Sequence, residues 1–342
     1  MQQLSVPSLK ERAPEMTGAE IAASLVPPRQ FEEASLENYQ PDPNYPSQAE
    51  AVAKIREFAA AWKPSGGLFS RRRAPETKGG IYLDGGFGVG KTHLLASLWK
   101  LAPGRSYFGT FIEYTALVGA LGYASTVALF TGSSFIAIDE FELDDPGDTM
   151  LMTRLLGELM ASGTRVAATS NTPPNALGEG RFAAVDFLRE IQAMADRFDI
   201  LRIDGLDYRR RDVEGHAVSV DDSVFAETVE AEASRFPVGT VTADDFDSLL
   251  RHLATVHPSR YIKMVDDLEA IGLRGVRVLH DQTDALRFVA FVDRLYDAQV
   301  RIIAQGVPLD QVFGDEMMAG GYRKKYLRAV SRLIALTSGA RA

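Results

Sequence analysis

Eight consecutive residues, Gly85-Gly-Phe-Gly-Val-Gly90-Lys91-Thr92, have the types and spacing G-x-x-x-x-G-K-[ST]. Glycines free the backbone to wrap its N–H groups around phosphate oxygens, and a helix beginning there adds the positive end of its dipole. Lys91 supplies a compact cation for the β- and γ-phosphates of ATP, and the Thr92 hydroxyl a ligand for Mg²⁺. The expected nucleotide contacts are therefore Gly85, Gly86, Phe87, Gly88, Val89, Gly90, Lys91, Thr92 and His93. The dinucleotide pattern G-x-G-x-x-G is not met, because beginning at Gly86 and Gly88 it needs glycine where Lys91 stands.

Phosphate chemistry of this kind needs acids on a second strand. Phe135-Ile-Ala-Ile-Asp139-Glu140 is an apolar run ending in two carboxylates. An acid at the carboxyl end of a buried parallel strand faces the ligand crevice. Asp139 is expected to hold Mg²⁺, and Glu140 to orient and deprotonate the attacking water, which reads as hydrolysis rather than storage. Val166-Ala-Ala-Thr-Ser-Asn171 is another apolar run with a polar end, and its amide would contact both the lytic water and the γ-phosphate. An arginine is expected for transition-state charge, in cis or from a neighbouring copy; Arg181, Arg189 and Arg197 are the candidates, with Arg197 and Arg181 preferred. Arg328 and Arg332 lie i,i+4 on the last helical segment, and one of them, Arg328 first, would reach the phosphates as a lid residue. Gln48 is a candidate for the adenine. The five histidines do not cluster at metal-ligand spacing.

Elements that could position these groups follow from the apolar pattern. Short apolar runs at 81–83, 106–108, 135–138, 166–169 and 200–203 read as buried strands. Amphipathic stretches at 94–100, 111–121, 149–160 and 187–198 read as helices between them. That alternation predicts an α/β fold with a mostly parallel sheet covered on both faces. Residues 209–247 are polar and acidic and are expected to contain a loop or small insertion. A strand at 276–279, a helix at 285–296, a strand at 300–304 and a basic helix at 322–336 follow. The expected organisation is an N-terminal extension over 1–45, a P-loop core over 46–210 and a C-terminal extension over 211–342.

Composition narrows the class. The 342 residues carry 37 Lys+Arg against 46 Asp+Glu, a formal charge of −9, and contain no cysteine. Disulfides, thiolate metal sites and a cysteine nucleophile are excluded. The acidic balance opposes a surface built to clamp nucleic acid. No run is long and apolar enough for a transmembrane helix, and the first 29 residues lack a secretory apolar segment, so a cytoplasmic location is expected.

Together these residues resemble the ZapE-type AAA+ ATPases, a bacterial cell-division family that also includes a mitochondrial quality-control ATPase. The likeness rests on the stretch from Gly80 to Thr92, on Asp139-Glu-Phe-Glu-Leu-Asp-Asp-Pro, on Thr169-Ser-Asn-Thr-Pro-Pro and on Asp204-Gly-Leu-Asp-Tyr208-Arg209. Phe291-Val-Asp-Arg-Leu-Tyr-Asp and Arg328-Ala-Val-Ser-Arg332-Leu extend it towards the end of the chain. The segment Gly178-Glu-Gly-Arg181-Phe departs from the family's pattern, so an arginine finger is not carried over there. The resemblance implies a three-layer αβα P-loop NTPase of the AAA+ class with a C-terminal α/β extension and a helical lid. It also implies Mg²⁺-dependent ATP hydrolysis, nucleotide-dependent homo-oligomers, and a protein partner of the FtsZ kind at the inner face of the membrane. A DNA-associated ATPase of the replication-initiator or helicase-loader type is the alternative, since Gly90-Lys-Thr-His93-Leu-Leu resembles those proteins locally.

Overall fold

The computed structural model describes residues 6–62, 78–141, 146–173, 192–206 and 215–338. They form two compact units, one made of residues 17–27 and 31–208, the other of 1–16, 28–30 and 209–342. The first 45 residues are thus shared between the units. Leu9 is fully buried in the core of the second, and Ala34 and Leu36 in the core of the first.

The first unit contains α1 (Gly18–Ala23), α2 (Pro46–Ala60), β1 (Gly80–Gly85), α3 (Lys91–Leu101), β2 (Ser106–Thr110), α4 (Phe111–Leu121) and α5 (Tyr123–Phe130). It continues with β3 (Phe135–Asp139), α6 (Pro146–Ala161), β4 (Arg165–Ser170) and β5 (Phe198–Ile203). The five strands are parallel in the order β2-β3-β4-β1-β5. The crossover from β1 to β2 runs one way along the sheet, and the later ones run back. Right-handed connections therefore put α3 on one face and α4 to α6 on the other. α2 joins α3, and the result is the three-layer αβα arrangement of a P-loop NTPase. From β1 the chain moves one way along the sheet and from adjacent β4 the other, which marks the ligand crevice of a doubly wound sheet at their carboxyl ends.

Local sequence explains the elements that matter. The α3 residues Leu94, Leu95 and Leu98 are fully buried against the sheet, each contributing about 1.5–3 kcal/mol of apolar burial. α4 begins at a capping box: Glu113 N–H donates to Thr110 Oγ1, and Thr110 N–H donates to Glu113 Oε2 at 2.6 Å. No single helix among the described residues is long and apolar enough to cross a membrane.

Within residues 215–247, part of the stretch expected to contain a loop or small insertion, the second unit builds regular elements. It holds β6 (Ser219–Val220), α7 (Asp222–Ala233), β7 (Val241–Asp245), α8 (Phe246–Leu253), α9 (Tyr261–Val265) and β8 (Ala270–Val276). It ends with α10 (Gln282–Asp297), β9 (Arg301–Gly306), α11 (Asp315–Ala319) and α12 (Arg323–Thr337). Its four parallel strands run β6-β9-β8-β7, with α7 on one face and α8 to α10 on the other. The apolar stripe of α7 is narrow: Phe225 and Val229 are buried beside a buried Glu232, and acids hold three of the other nine positions. That pattern is too weak to mark a helix from sequence. The strand expected at 276–279 is also displaced, because β8 ends at Val276 and beyond it only Leu279 bridges to Phe313. The helices expected at 285–296 and 322–336 are present as α10 and α12.

Candidate active site

The loop between β1 and α3 is where the glycines act. Gly88 and Gly90 have φ of 66° and 84°, the left-handed region that glycine enters without cost. At Gly90 space also decides: a Cβ there would stand 2.5 Å from the Tyr39 ring. Tyr39 lies over this loop and donates from its hydroxyl to Val89 O at 2.8 Å. Burial pushes the Tyr39 phenol up to about 12. Its ring also meets that of His93 at 5.7 Å between centroids, and His93 Nε2 sits 2.9 Å from Ser35 O. His93, expected to touch nucleotide, thus packs the N-terminal segment onto α3.

Lys91, the first residue of α3, is 8% exposed. Its ammonium donates to Gly85 O at 2.9 Å, Gly86 O at 2.5 Å and Asn171 Oδ1 at 2.9 Å. The lysine on the loop and the amide at the end of β4 therefore converge on one point between β1 and β4. Thr92 Oγ1 lies 3.2 Å from Asp139 Oδ1 and 3.1 Å from Oδ2. Asp139 closes β3 and is 8% exposed. Burial raises its pKa above the ordinary carboxylate value, and Glu140 adds to the rise, against the Thr169 and Thr92 hydroxyls and the Lys91 ammonium. A cation beside the carboxylate would offset that cost of ionisation.

These donors fit a hard divalent ion. Hydroxyl and carboxylate oxygens stand side by side, and no cluster of three or more His, Cys, Asp or Glu occurs among the described residues. That is the donor set Mg²⁺ takes when it keeps waters and completes its shell with substrate phosphates.

Glu140 follows directly, half-buried, with φ of 54°. Its N–H donates to Thr169 Oγ1 at 3.0 Å, and the next N–H, of Phe141, donates to Thr169 O at 2.7 Å. Thr169 was not read as part of the site, although it lies inside the motif that ends in Asn171. Tyr39 was missed as well, since its only local signal is its place among prolines just before α2.

Other candidates lie elsewhere. Gln48 is buried: its carbonyl accepts from Asp42 N–H at 2.8 Å and its amide donates to Asp204 O at 2.8 Å, so both ends of the side chain tie backbone together. Arg197 is exposed and donates to Gly157 O at 3.3 Å. It precedes Phe198, which pairs with Gly80 at the start of β1, whereas the phosphate loop leaves β1 at Gly85, beside Ile203. Five strand steps separate those ends, about 17 Å, so Arg197 does not belong to its own chain's crevice. Arg328 lies in the second unit, 6% exposed, donating to Asp293 Oδ2 at 2.6 Å; Arg332 donates to Asp293 Oδ1. The hydrogen bonds that join Lys91 to Asn171 and Thr92 to Asp139 lie within the first unit. Arg181 and Arg189 lie outside the described residues, as do residues 187–191 of the helix expected over 187–198; of the rest, 192–195 are helical.

Comparison with known proteins bears on the family. A protein-family model described as AFG1-like ATPase matches residues 17–341. The cell division protein ZapE of Escherichia coli (strain K12) is 27% identical, over 92% of this chain and 96% of its own length. Lactation elevated protein 1 homolog B of Danio rerio is 22% identical over 72% of this chain and 59% of its own length. Among solved structures, domain III of the Thermotoga maritima replication initiation protein DnaA superposes with a TM-score of 0.41 at 17% identity. That overlap covers 60% of this chain and 77% of the DnaA domain, and a score so low does not bear on function.

Proposed function

The chain belongs to the AFG1-like ATPase family, and on that premise we propose that it is a Mg²⁺-dependent enzyme converting ATP and water to ADP and phosphate. One observation carries the reading. Lys91, Thr92, Asp139, Glu140 and Asn171, from two strand ends and one helix start, meet in a single crevice.

Each side chain has a part matched to its chemistry. Lys91 turns its ammonium from the Gly85 and Gly86 carbonyls to the β- and γ-phosphate oxygens as the loop N–H groups close on them. Thr92 and Asp139 hold the Mg²⁺, which when bound neutralises phosphate charge. Glu140 takes the proton of the attacking water as its oxygen bonds to the γ-phosphorus and the bond to the β-phosphate oxygen breaks. Asn171, fixed beside Lys91, orients that water against the γ-phosphate. Arg197 faces away from its own nucleotide, so we assign it to the nucleotide of a neighbouring copy in a homo-oligomer.

The name of the Escherichia coli relative points to cell division. We extend that role to this chain, with a division protein of the FtsZ kind as the partner on which the nucleotide cycle does conformational work. Phosphate release from Mg·ATP is the test. Wild-type protein is expected to turn over, with a rate per chain that rises with protein concentration, and Lys91→Ala is expected to be inactive. Equal phosphate release by wild type and Lys91→Ala would overturn the assignment.

A further inference from the structure

We propose that Thr169 is a positioning residue for hydrolysis, whose hydroxyl locks the carboxylate of Asp139 and the backbone of Glu140 into one rigid pair. The proposal rests on the ATPase reading above and adds a residue to it. The register of the sheet makes the contact possible. Ile138 of β3 pairs with Ala168 of β4, which places Thr169 beside Asp139 one step further on. Side chains alternate along a strand, so Asp139 shares a face with Ala137 and Thr169 with Ala167. Both alanines belong to the core beneath α3, the face from which Thr92 reaches Asp139.

A hydroxyl has one hydrogen to give and lone pairs to accept with. Thr169 uses both, donating to Asp139 Oδ1 and accepting from Glu140 N–H at 3.0 Å. Its own carbonyl then accepts from Phe141 N–H at 2.7 Å. The residue therefore holds the chain on both sides of Glu140, where φ of 54° turns the backbone out of the strand. A left-handed non-glycine residue persists only where its surroundings impose it, and such residues gather at active sites. Thr169 is 2% exposed and the neighbouring Phe141 1%, so both anchors are buried. Substitution of Thr169 leaves the lysine, the glycine loop and Asn171 in place. Binding of nucleotide should survive, and the alignment of the base with the attacking water should not.

The experiment compares wild type with Thr169→Val, Thr169→Ala and Thr169→Ser, with Glu140→Gln as reference. It measures Mg·ATP turnover, the Kd for a fluorescent ADP, and thermal unfolding to count folded molecules. Loss of the hydroxyl in Val or Ala is expected to lower kcat roughly 10- to 100-fold, the range for groups that orient a catalytic centre. KM and the ADP Kd are expected to stay near wild type, and Ser to recover most of kcat. Turnover per folded molecule unchanged in Val and Ala, or Ser as impaired as Val, would overturn the proposal. If Val does not fold, the contrast between Ala and Ser decides. Wild-type turnover that Glu140→Gln abolishes and Val and Ala leave intact refutes Thr169 alone. A wild type without turnover refutes the ATPase reading, and this inference with it.

Discussion

Glu140 enters the left-handed region directly after a buried strand, which costs a non-glycine residue about 1–2 kcal/mol. The buried Phe141 ring and the two bonds to Thr169 hold it there. Tyr39 acts on the phosphate loop in a similar way, through its hydroxyl on Val89 O. A neutral hydrogen bond is worth about 0.5–1.5 kcal/mol. Tyr39→Phe is therefore expected to speed hydrogen exchange of the amides around Gly88 to Lys91 by roughly 2- to 10-fold, with other amides of the sheet unchanged. Uniform exchange rates in the two proteins would contradict that role. Lys91, Thr92, Asp139 and Asn171 were legible in the sequence because phosphate and metal chemistry fix both their types and their places at strand ends. Tyr39 and Thr169 were not, because one binds a backbone carbonyl 50 positions away and the other a strand reached only through sheet register.

Among the elements, the five strands of the first unit were legible as short, mostly apolar runs, whereas β8 was not. Its sequence Ala-Ile-Gly-Leu-Arg-Gly-Val carries two glycines. Gly272 is needed because a Cβ there would stand 2.8 Å from Val229 Cγ2 of α7, and its presence dilutes the strand pattern. The alternating Val276-Arg-Val-Leu279 that follows looks more strand-like and leaves the sheet. The α10–α12 pair shows a similar gap between pattern and role. Arg328 and Arg332 look like a basic helix face, yet they close on Asp293 inside the unit at 6% and 11% side-chain exposure. Burial opposes ionisation of Asp293, and Arg328, Arg332 and Arg294 outweigh it, so its pKa lies below the ordinary 3.8. A depressed carboxylate contributes stability in full above its unfolded value and loses it as pH falls through the native one. Asp293→Asn leaves two arginines buried without their carboxylate and is expected to cost about 3–5 kcal/mol. Thermal unfolding checks this: a large loss at neutral pH that shrinks below about pH 4 is expected. An unchanged melting temperature would contradict it.

At the scale of the whole molecule, the charge distribution takes on a narrower meaning. The chain carries −9 overall, yet from Met317 onward it has six basic residues and no acid. Two of those six are spent inside the second unit on Asp293. The cationic contact expected for the β- and γ-phosphates, Lys91, lies in the other unit, whose strand order brings β1, β3 and β4 together. The central claim is that this crevice cleaves ATP with Glu140 as base rather than merely holding it. The identity of the bound nucleotide tests it most directly. Wild type and Glu140→Gln are each incubated with Mg·ATP, separated from free nucleotide, and the nucleotide retained by each is identified. The account predicts ADP on the wild type and intact ATP on Glu140→Gln; ATP on both, or ADP on both in equal amount, would contradict it.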